Sequence, residues 1–334
     1  MPLVTDRQHV LDIYRDAADR GWVVPTFCSE NLTTTEAALT AARDYGENIG
    51  VRDIPITLAI TNLYPHRSQT ANYTHTRQWD IGLRLFMADI AVLTAPGSPF
   101  ERLNVMTHLD HVQHDLDEPL LAWDMGQFSS IMFDASAIPF DRNMAVTRRF
   151  MEEHGGEIVV EGACDEIVDA TGAEVSDLTT PDKAAEYVSA TGVDFVVANL
   201  GTEHRASAKD LKYRGDLARQ IKARIGPRIV LHGCSSVSSD QVKSLFEDGV
   251  CKVNIWTALE RDSSPALLAD MVANADKVAG GAFAKCLADE GLLGPNADTT
   301  AKAHLDYFTT VYRQGIIFEE MKRIVNDYLE LWYV

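Results

Sequence analysis

The stretch Val105-Met106-Thr107-His108-Leu109-Asp110-His111 carries an apolar run into a cluster of groups that bind metals and move protons. Adjacent residues on a β-strand point to opposite sides, so Asp110 and His111 reach one pocket only where that alternation relaxes, as at a strand end. There a neutral imidazole can ligate a metal and the neighbouring carboxylate can exchange a proton. A surface histidine pair would look the same in isolation. Two later histidines alter the balance: His204 in Asn199-Leu200-Gly201-Thr202-Glu203-His204, and His232 in Val230-Leu231-His232-Gly233. Three imidazoles converging on one pocket suit Zn²⁺, or another divalent metal, with one coordination position left for substrate. The competing explanation is three structural histidines, each satisfied by its own hydrogen bonds.

Such residues need strands to carry them. Short apolar segments recur at 22–28, 56–62, 104–110, 129–134, 157–161, 194–199, 228–232 and 250–256, and they read as strands. Helical patterns lie between them. The first, over 6–20, places Val10, Ile13, Tyr14, Ala17 and Ala18 on one face. An Ala-rich helix opens with the capping-box pair Thr33 and Glu36 and runs to about Tyr45. Others fall near 81–94, 143–154 and 208–224, from Pro181-Asp182 onward, and over 239–247 with Gly249 closing it. The last eighty residues or so read as helices. Eight strands alternating with helices predict a closed parallel (β/α)8 TIM barrel, a single domain over 1–334 with extra C-terminal helices. No Gly-x-Gly-x-x-Gly follows the first strand, which argues against a dinucleotide site. The segment 63–103, with Tyr64-Pro65-His66-Arg67, is long for a simple connection.

In such a barrel the active site gathers at the C-terminal ends of the strands. Asn62, Asp110, His111, Asp134, Glu161, His204, His232 and Asn254 all fall at or just beyond those ends. Scattered polar residues would not align so consistently.

Composition narrows the partners. The 334 residues are 46% hydrophobic, enough for a large core. A net charge of −19 repels phosphate backbones and anionic lipid, so a small molecule is the expected partner, not nucleic acid or a membrane. Cys28, Cys164, Cys234, Cys251 and Cys286 are widely spaced, which argues against a disulfide framework and for a reducing compartment. No signal-peptide pattern or bilayer-length apolar run is present, and the expected location is cytoplasmic.

The motifs together resemble the class II, metal-dependent fructose-bisphosphate and ketose-bisphosphate aldolase family. The resemblance runs from about Val24 through Thr257 and more loosely to the C-terminus. It is carried by His-Leu-Asp-His at 108–111, Ser-Ile-Met-Phe-Asp-Ala-Ser at 130–136, and Ile138-Pro139-Phe140 with Asn143. Val160-Glu161, Gly201-Thr202-Glu203-His204, Val230-Leu231-His232-Gly233 and Lys252-Val253-Asn254-Ile255 complete it. The resemblance implies that His111, His204 and His232 bind the metal. It implies that Asp110 exchanges a proton with the substrate hydroxyl, and that Asn254 holds the enediolate part of the substrate. Retro-aldol cleavage leaves negative charge on a carbonyl-derived oxygen, which a divalent metal stabilises. The family habit and the apolar C-terminal stretch Tyr328-Leu329-Glu330-Leu331-Trp332-Tyr333 both imply a homodimer or larger homo-oligomer.

Departures from the family pattern collect around the pocket. Where the family has a second Glu after Val160-Glu161 this chain has Ala163, and Asp165 or Glu166 is the candidate replacement. Glu166 is the expected second acid or base. The family's Gly-Gly-Ser-Gly phosphate loop is Gly233-Cys234-Ser235-Ser236, its Asp-Thr is Trp256-Thr257, and its usual strand-one Asn is Cys28. Cysteine and serine narrow a loop that glycine leaves open. Packing cysteines, a core Trp256 and a solvated acidic loop over 162–177 would explain these changes without function. Their clustering favours an altered substrate, because function resides in the site and not in the fold. Gly233, Ser235, Ser236 and Thr257, with Asn62, Asp134, Glu161 and Asn254, are the expected substrate-side residues. The chain therefore reads as a divalent-metal aldolase acting through a metal-stabilised enediolate. Its substrate would be a ketose or ketose phosphate other than fructose 1,6-bisphosphate. An isomerase, epimerase or decarboxylase on the same scaffold is the alternative. So is a non-catalytic subunit, against which the complete histidine set and Asp110 argue.

Overall fold

The structure, a computed structural model, describes residues 3–64, 67–167 and 178–334. Eight strands form the frame: β1 (Val24–Cys28), β2 (Pro55–Thr61), β3 (Asn104–Gln113), β4 (Ser130–Asp134), β5 (Val159–Ala163), β6 (Phe195–Val197), β7 (Ile229–Leu231) and β8 (Val250–Ile255). They pair in sequence order, all parallel, and β8 closes on β1, as a (β/α)8 barrel requires. β1, β2, β4, β5, β6 and β7 are buried along their whole length. Helices cover the outside and side chains fill the inside, so these strands read as continuous apolar runs instead of alternating ones.

β3 departs from the expected pattern in a way that builds the site. It runs three residues past Asp110, to Gln113. Its pairing with β4 slips between Leu109 and Val112, and His111 takes a positive φ of 49°. A bulge re-aims the side chains around it. Asp110 and His111 are therefore both buried and both line one cavity, although they are neighbours on a strand. A left-handed backbone at a non-glycine residue costs about 1–3 kcal/mol and persists where its surroundings over-determine it.

The N-terminal helix Arg7–Asp19 packs at the opposite, N-terminal end of the barrel. There Arg7 pairs with Asp194 at 2.5 Å, and the Tyr14 ring lies 4.8 Å from that of Phe195. The second helix, Leu32–Ile49, corrects the expected capping box. Asn31, not Thr33, is the cap: its side chain accepts from the N–H groups of Thr33 and Thr34, and the helix extends to Gly50 in the left-handed region. Asn is as good a cap as Thr, and here it stands one residue before the first helical turn. The long 63–103 connection contains the helices Gln69–Asn72 and Trp79–Leu93. After β8 the helices Thr257–Ala273 and Thr310–Trp332 pack on each other, and the latter also packs on Leu32–Ile49. Among the described residues no helix is long and apolar enough to cross a membrane.

Candidate active site

At the C-terminal end of the barrel, Asp110 and His111 of β3, His204 after β6, His232 after β7 and Asn254 of β8 line one cavity. The three histidines offer ligand atoms that all lie within 4.8 Å of one another. Their rings are 4.9, 5.0 and 5.5 Å apart. His111 Nδ1 lies 2.9 Å from Asp134 Oδ2, which fixes the ring and leaves Nε2 for another partner. His232 Nε2 is buried with no hydrogen-bond partner among the described residues. Burial, reinforced by the other two histidines and only partly opposed by Asp110, holds the His232 pKa well below the usual value, so its imidazole is neutral. Three converging imidazoles, one of them neutral with an orphaned buried nitrogen, fit a divalent cation better than they fit hydrogen bonding alone.

Gly233 allows the close approach. Its φ is +69°, and a Cβ there would fall 2.6 Å from the carbonyl oxygen of Glu203, so only glycine lets the β7 loop pass the β6 loop.

Asp110 is surrounded by donors. Asn254 Nδ2 donates to its Oδ1 at 2.8 Å, and the Cys28 thiol donates to Oδ2 at 3.6 Å. Burial and the charge of Asp110 push the Cys28 thiol pKa well up, so it stays protonated and keeps the donor role at that position. Burial raises the Asp110 carboxyl, but the charge of His111 and the hydrogen bond of His108 outweigh it and hold the group well below the usual carboxylate range. Asp110 is thus ionised and pre-aimed.

Beneath this layer lies a polar floor. His108 Nδ1 meets Ser130 Oγ at 2.8 Å, and its Nε2 sits 3.6 Å from both Asp110 and Glu161. Glu161 pairs with Lys252 at 2.5 Å, both fully buried. A charge placed inside a barrel needs such a partner.

The expected substrate-side residues therefore divide. Gly233, Ser235, Asn254 and Thr257 line the cavity. Glu161 does not: it is spent on Lys252 below it. Asn62 is buried between Asp117 and Thr70, holding the loop after β2. Ser236 donates to the Gly233 carbonyl and accepts from the Glu203 N–H, closing its own loop. Asp134 orients His111 and borders an adjoining cavity. Of the two candidates to replace the missing carboxylate, Asp165 is tied to Lys183 and Thr179. Glu166 is exposed on the adjoining cavity with His111 and Asp134. Residues 168–177 of the acidic loop lie outside the described residues. Sequence reasoning gave no role to Tyr64, whose ring stacks on His111 at 4.4 Å, nor to Arg67, Gln69 or Arg205. The one available signal was the polar Tyr64-Pro65-His66-Arg67 directly after β2.

The class-II fructose-bisphosphate aldolase family matches residues 8–304. The chain belongs to this family. It is 27% identical over 253 residues to the D-tagatose-1,6-bisphosphate aldolase subunit GatY of Klebsiella oxytoca, covering 74% of this chain and 80% of that one. It is 30% identical over 160 residues to the uncharacterised protein YdjI of Escherichia coli, 46% of this chain and 57% of that one. The crystal structure of fructose-bisphosphate aldolase from Campylobacter jejuni has the same fold, with a TM-score of 0.73, 16% identity, and 99% and 95% of the two chains covered. That of the E. coli YdjI aldolase gives 0.62, 18% identity, and 96% and 94%. The histidine cluster and Asp110 thus lie at the mouth of a class II aldolase barrel, and the chain is an aldolase-type lyase.

Proposed function

We propose that this aldolase is divalent-metal-dependent, with zinc the first choice. Its substrate is proposed to be a ketose or ketose phosphate other than fructose 1,6-bisphosphate. The observation that carries this reading is the convergence of His111, His204 and His232 beside an ionised, donor-bound Asp110 in one cavity. Those histidines would hold the metal, which when bound supplies positive charge where the carbonyl-derived oxygen gains negative charge. Asp110 takes the proton of the substrate hydroxyl as the carbon–carbon bond breaks. Asn254 holds Asp110 through Nδ2, and its Oδ1, buried without a partner among the described residues, accepts from a substrate hydroxyl. Gly233, Ser235 and Thr257 line the substrate's path, and Glu166 is the second acid or base. The side chains of Cys234 and Trp256 on the same wall support a substrate differing from the family's namesake. Exposed Leu268, Phe283, Leu292 and Val311 on the C-terminal segment support a homo-oligomer. Five free cysteines support a cytoplasmic location.

Metal analysis and a product assay on one preparation test the reading. About one divalent ion per chain, loss of activity with a chelator, and severe loss of occupancy in His204→Ala are expected. Dihydroxyacetone phosphate with varied aldehydes should give condensation products, whereas an isomerase or epimerase gives none. Full metal occupancy after substitution of all three histidines removes the metal site. Cleavage of fructose 1,6-bisphosphate at about 10 per second, an ordinary enzyme rate, removes the altered-substrate part.

A further inference from the structure

Arg67 follows β2 and lines the same cavity as Asp110 and the histidines. Its guanidinium lies 5.5 Å over the indole of Trp256, just after β8. The side chain is held from behind. Nε donates to Glu30 Oε1 at 3.2 Å, and Nη2 donates to the other carboxylate oxygen. Gln69 Nε2 donates to the same Glu30 at 3.2 Å, and Gln69 Oε1 accepts from the Thr61 N–H at 2.8 Å. Thr61 Oγ1 in turn donates to the Arg67 carbonyl at 2.6 Å. Glu30 and Gln69 are buried, while the Arg67 side chain is 41% exposed. A long cation ordinarily loses rotamer freedom when it binds; here it is ordered in advance, so that cost is already met.

The charge on this wall is not cancelled as fully as the pair suggests. Glu30 occupies one edge of the guanidinium, and Nη1 has no hydrogen bond to any described residue. Guanidinium keeps its proton and matches the oxygens of carboxylate and phosphate through several donors. The other carboxyl close by, Glu260, is pushed up to about 7 by burial and then by Glu30, so near neutral pH a large share of it is uncharged. The helix Thr257–Ala273 starts on the same wall without a side-chain cap, and its first residue lines the cavity. A neutral polyol would leave these donors facing no charge.

We propose that Arg67 is a specificity-determining residue, reading a negatively charged oxygen group, phosphoryl or carboxylate, at one end of the substrate. The proposal rests on this cavity being the substrate site, as the proposed function has it, and not on the reaction being an aldol cleavage.

Calorimetric titration of the metal-loaded protein with inorganic phosphate, malonate and glycerol tests it, using wild type, Arg67→Gln and Arg67→Lys. Binding through the histidine site is common to all three proteins and cancels in the comparison. The Gln variant should lose about tenfold or more in affinity for one anion, the scale of a lost charge-assisted hydrogen bond. Loss for phosphate identifies a phosphoryl group, loss for malonate a carboxylate; glycerol should be unaffected. If the Gln variant does not fold, the Lys variant carries the test. An ammonium lacks the rigid fork that holds Glu30 on one edge and offers the other to an oxyanion, so anion affinity is expected to fall relative to glycerol. No anion binding by the wild type, unchanged anion affinity in the variant, or an equal loss for glycerol overturns the proposal. Anion binding that depends on Arg67 in a protein without aldol turnover would instead sink the aldolase reading and leave this one standing.

Discussion

At the scale of single residues, the proposed chemistry turns on Asp110 acting beside the metal site without being a ligand of it. Its two oxygens are already engaged, one by Asn254 at 2.8 Å and one by the Cys28 thiol at 3.6 Å, and both contacts favour the charged form. Asp134, by contrast, spends an oxygen on His111 Nδ1 and serves the histidine. The two carboxylates therefore have separable tasks. Asp110→Asn keeps the shape and removes the base. Metal content should stay near normal while turnover falls by roughly 10²-fold or more, the usual scale for a general base. If Asp110 instead orients a histidine, the variant loses metal and added zinc restores activity. Metal content and turnover measured on one preparation decide between the two.

At the scale of elements, small local devices set where the strands end and the helices begin. The bulge in β3 turns two neighbours inward, at the expense of a left-handed His111. The cap at Asn31 starts the helix Leu32–Ile49 directly after β1, so it also positions Glu30 behind Arg67. Asn31→Ala leaves the N–H groups of Thr33 and Thr34 without their side-chain acceptor. Loss of about 1 kcal/mol is expected from denaturant unfolding, with metal occupancy retained. A loss near zero would show that water replaces the cap without penalty.

At the scale of the whole molecule, the C-terminal helix locks the barrel shut. Trp332 is 2% exposed, donates from Nε1 to the Val242 carbonyl at 2.8 Å, and stacks on Tyr328. Tyr333 donates to the Pro55 carbonyl at 2.9 Å and accepts from Tyr45 through its own carbonyl at 2.8 Å. Residues from the end of the chain thereby tie β2 and the segment before β8 to one another. Trp332→Ala should cost about 3–5 kcal/mol, as for a large aromatic removed from a packed core. The thermal midpoint should drop, while metal occupancy at low temperature stays intact because Trp332 packs on Val242 and Tyr328 and not on the three histidines. A midpoint equal to wild type would mean that the C-terminal segment is dispensable to the fold.

The eight strands, most of the helices and the three histidines could be read from the chain itself, because hydrophobic periodicity and motif spacing are local properties. The motif marks Gly233 only as part of the phosphate loop; that it must be glycine follows from its approach to Glu203 on the loop after β6, which no local pattern contains. Other features depend on which strand stands beside which, and only closure of the barrel decides that. Glu161 looks like a site carboxylate at a strand end until Lys252, on a strand that is not its neighbour, neutralises it across the interior. Asn62 is claimed by Asp117 and Thr70 before a substrate can reach it. Arg67 stands on Trp256 because β1 lies between β2 and β8, and Glu30, from the turn after β1, reaches behind it. A charged side chain has no role until its partner is known, and in a closed barrel the partner is chosen by register across strands far apart in the chain.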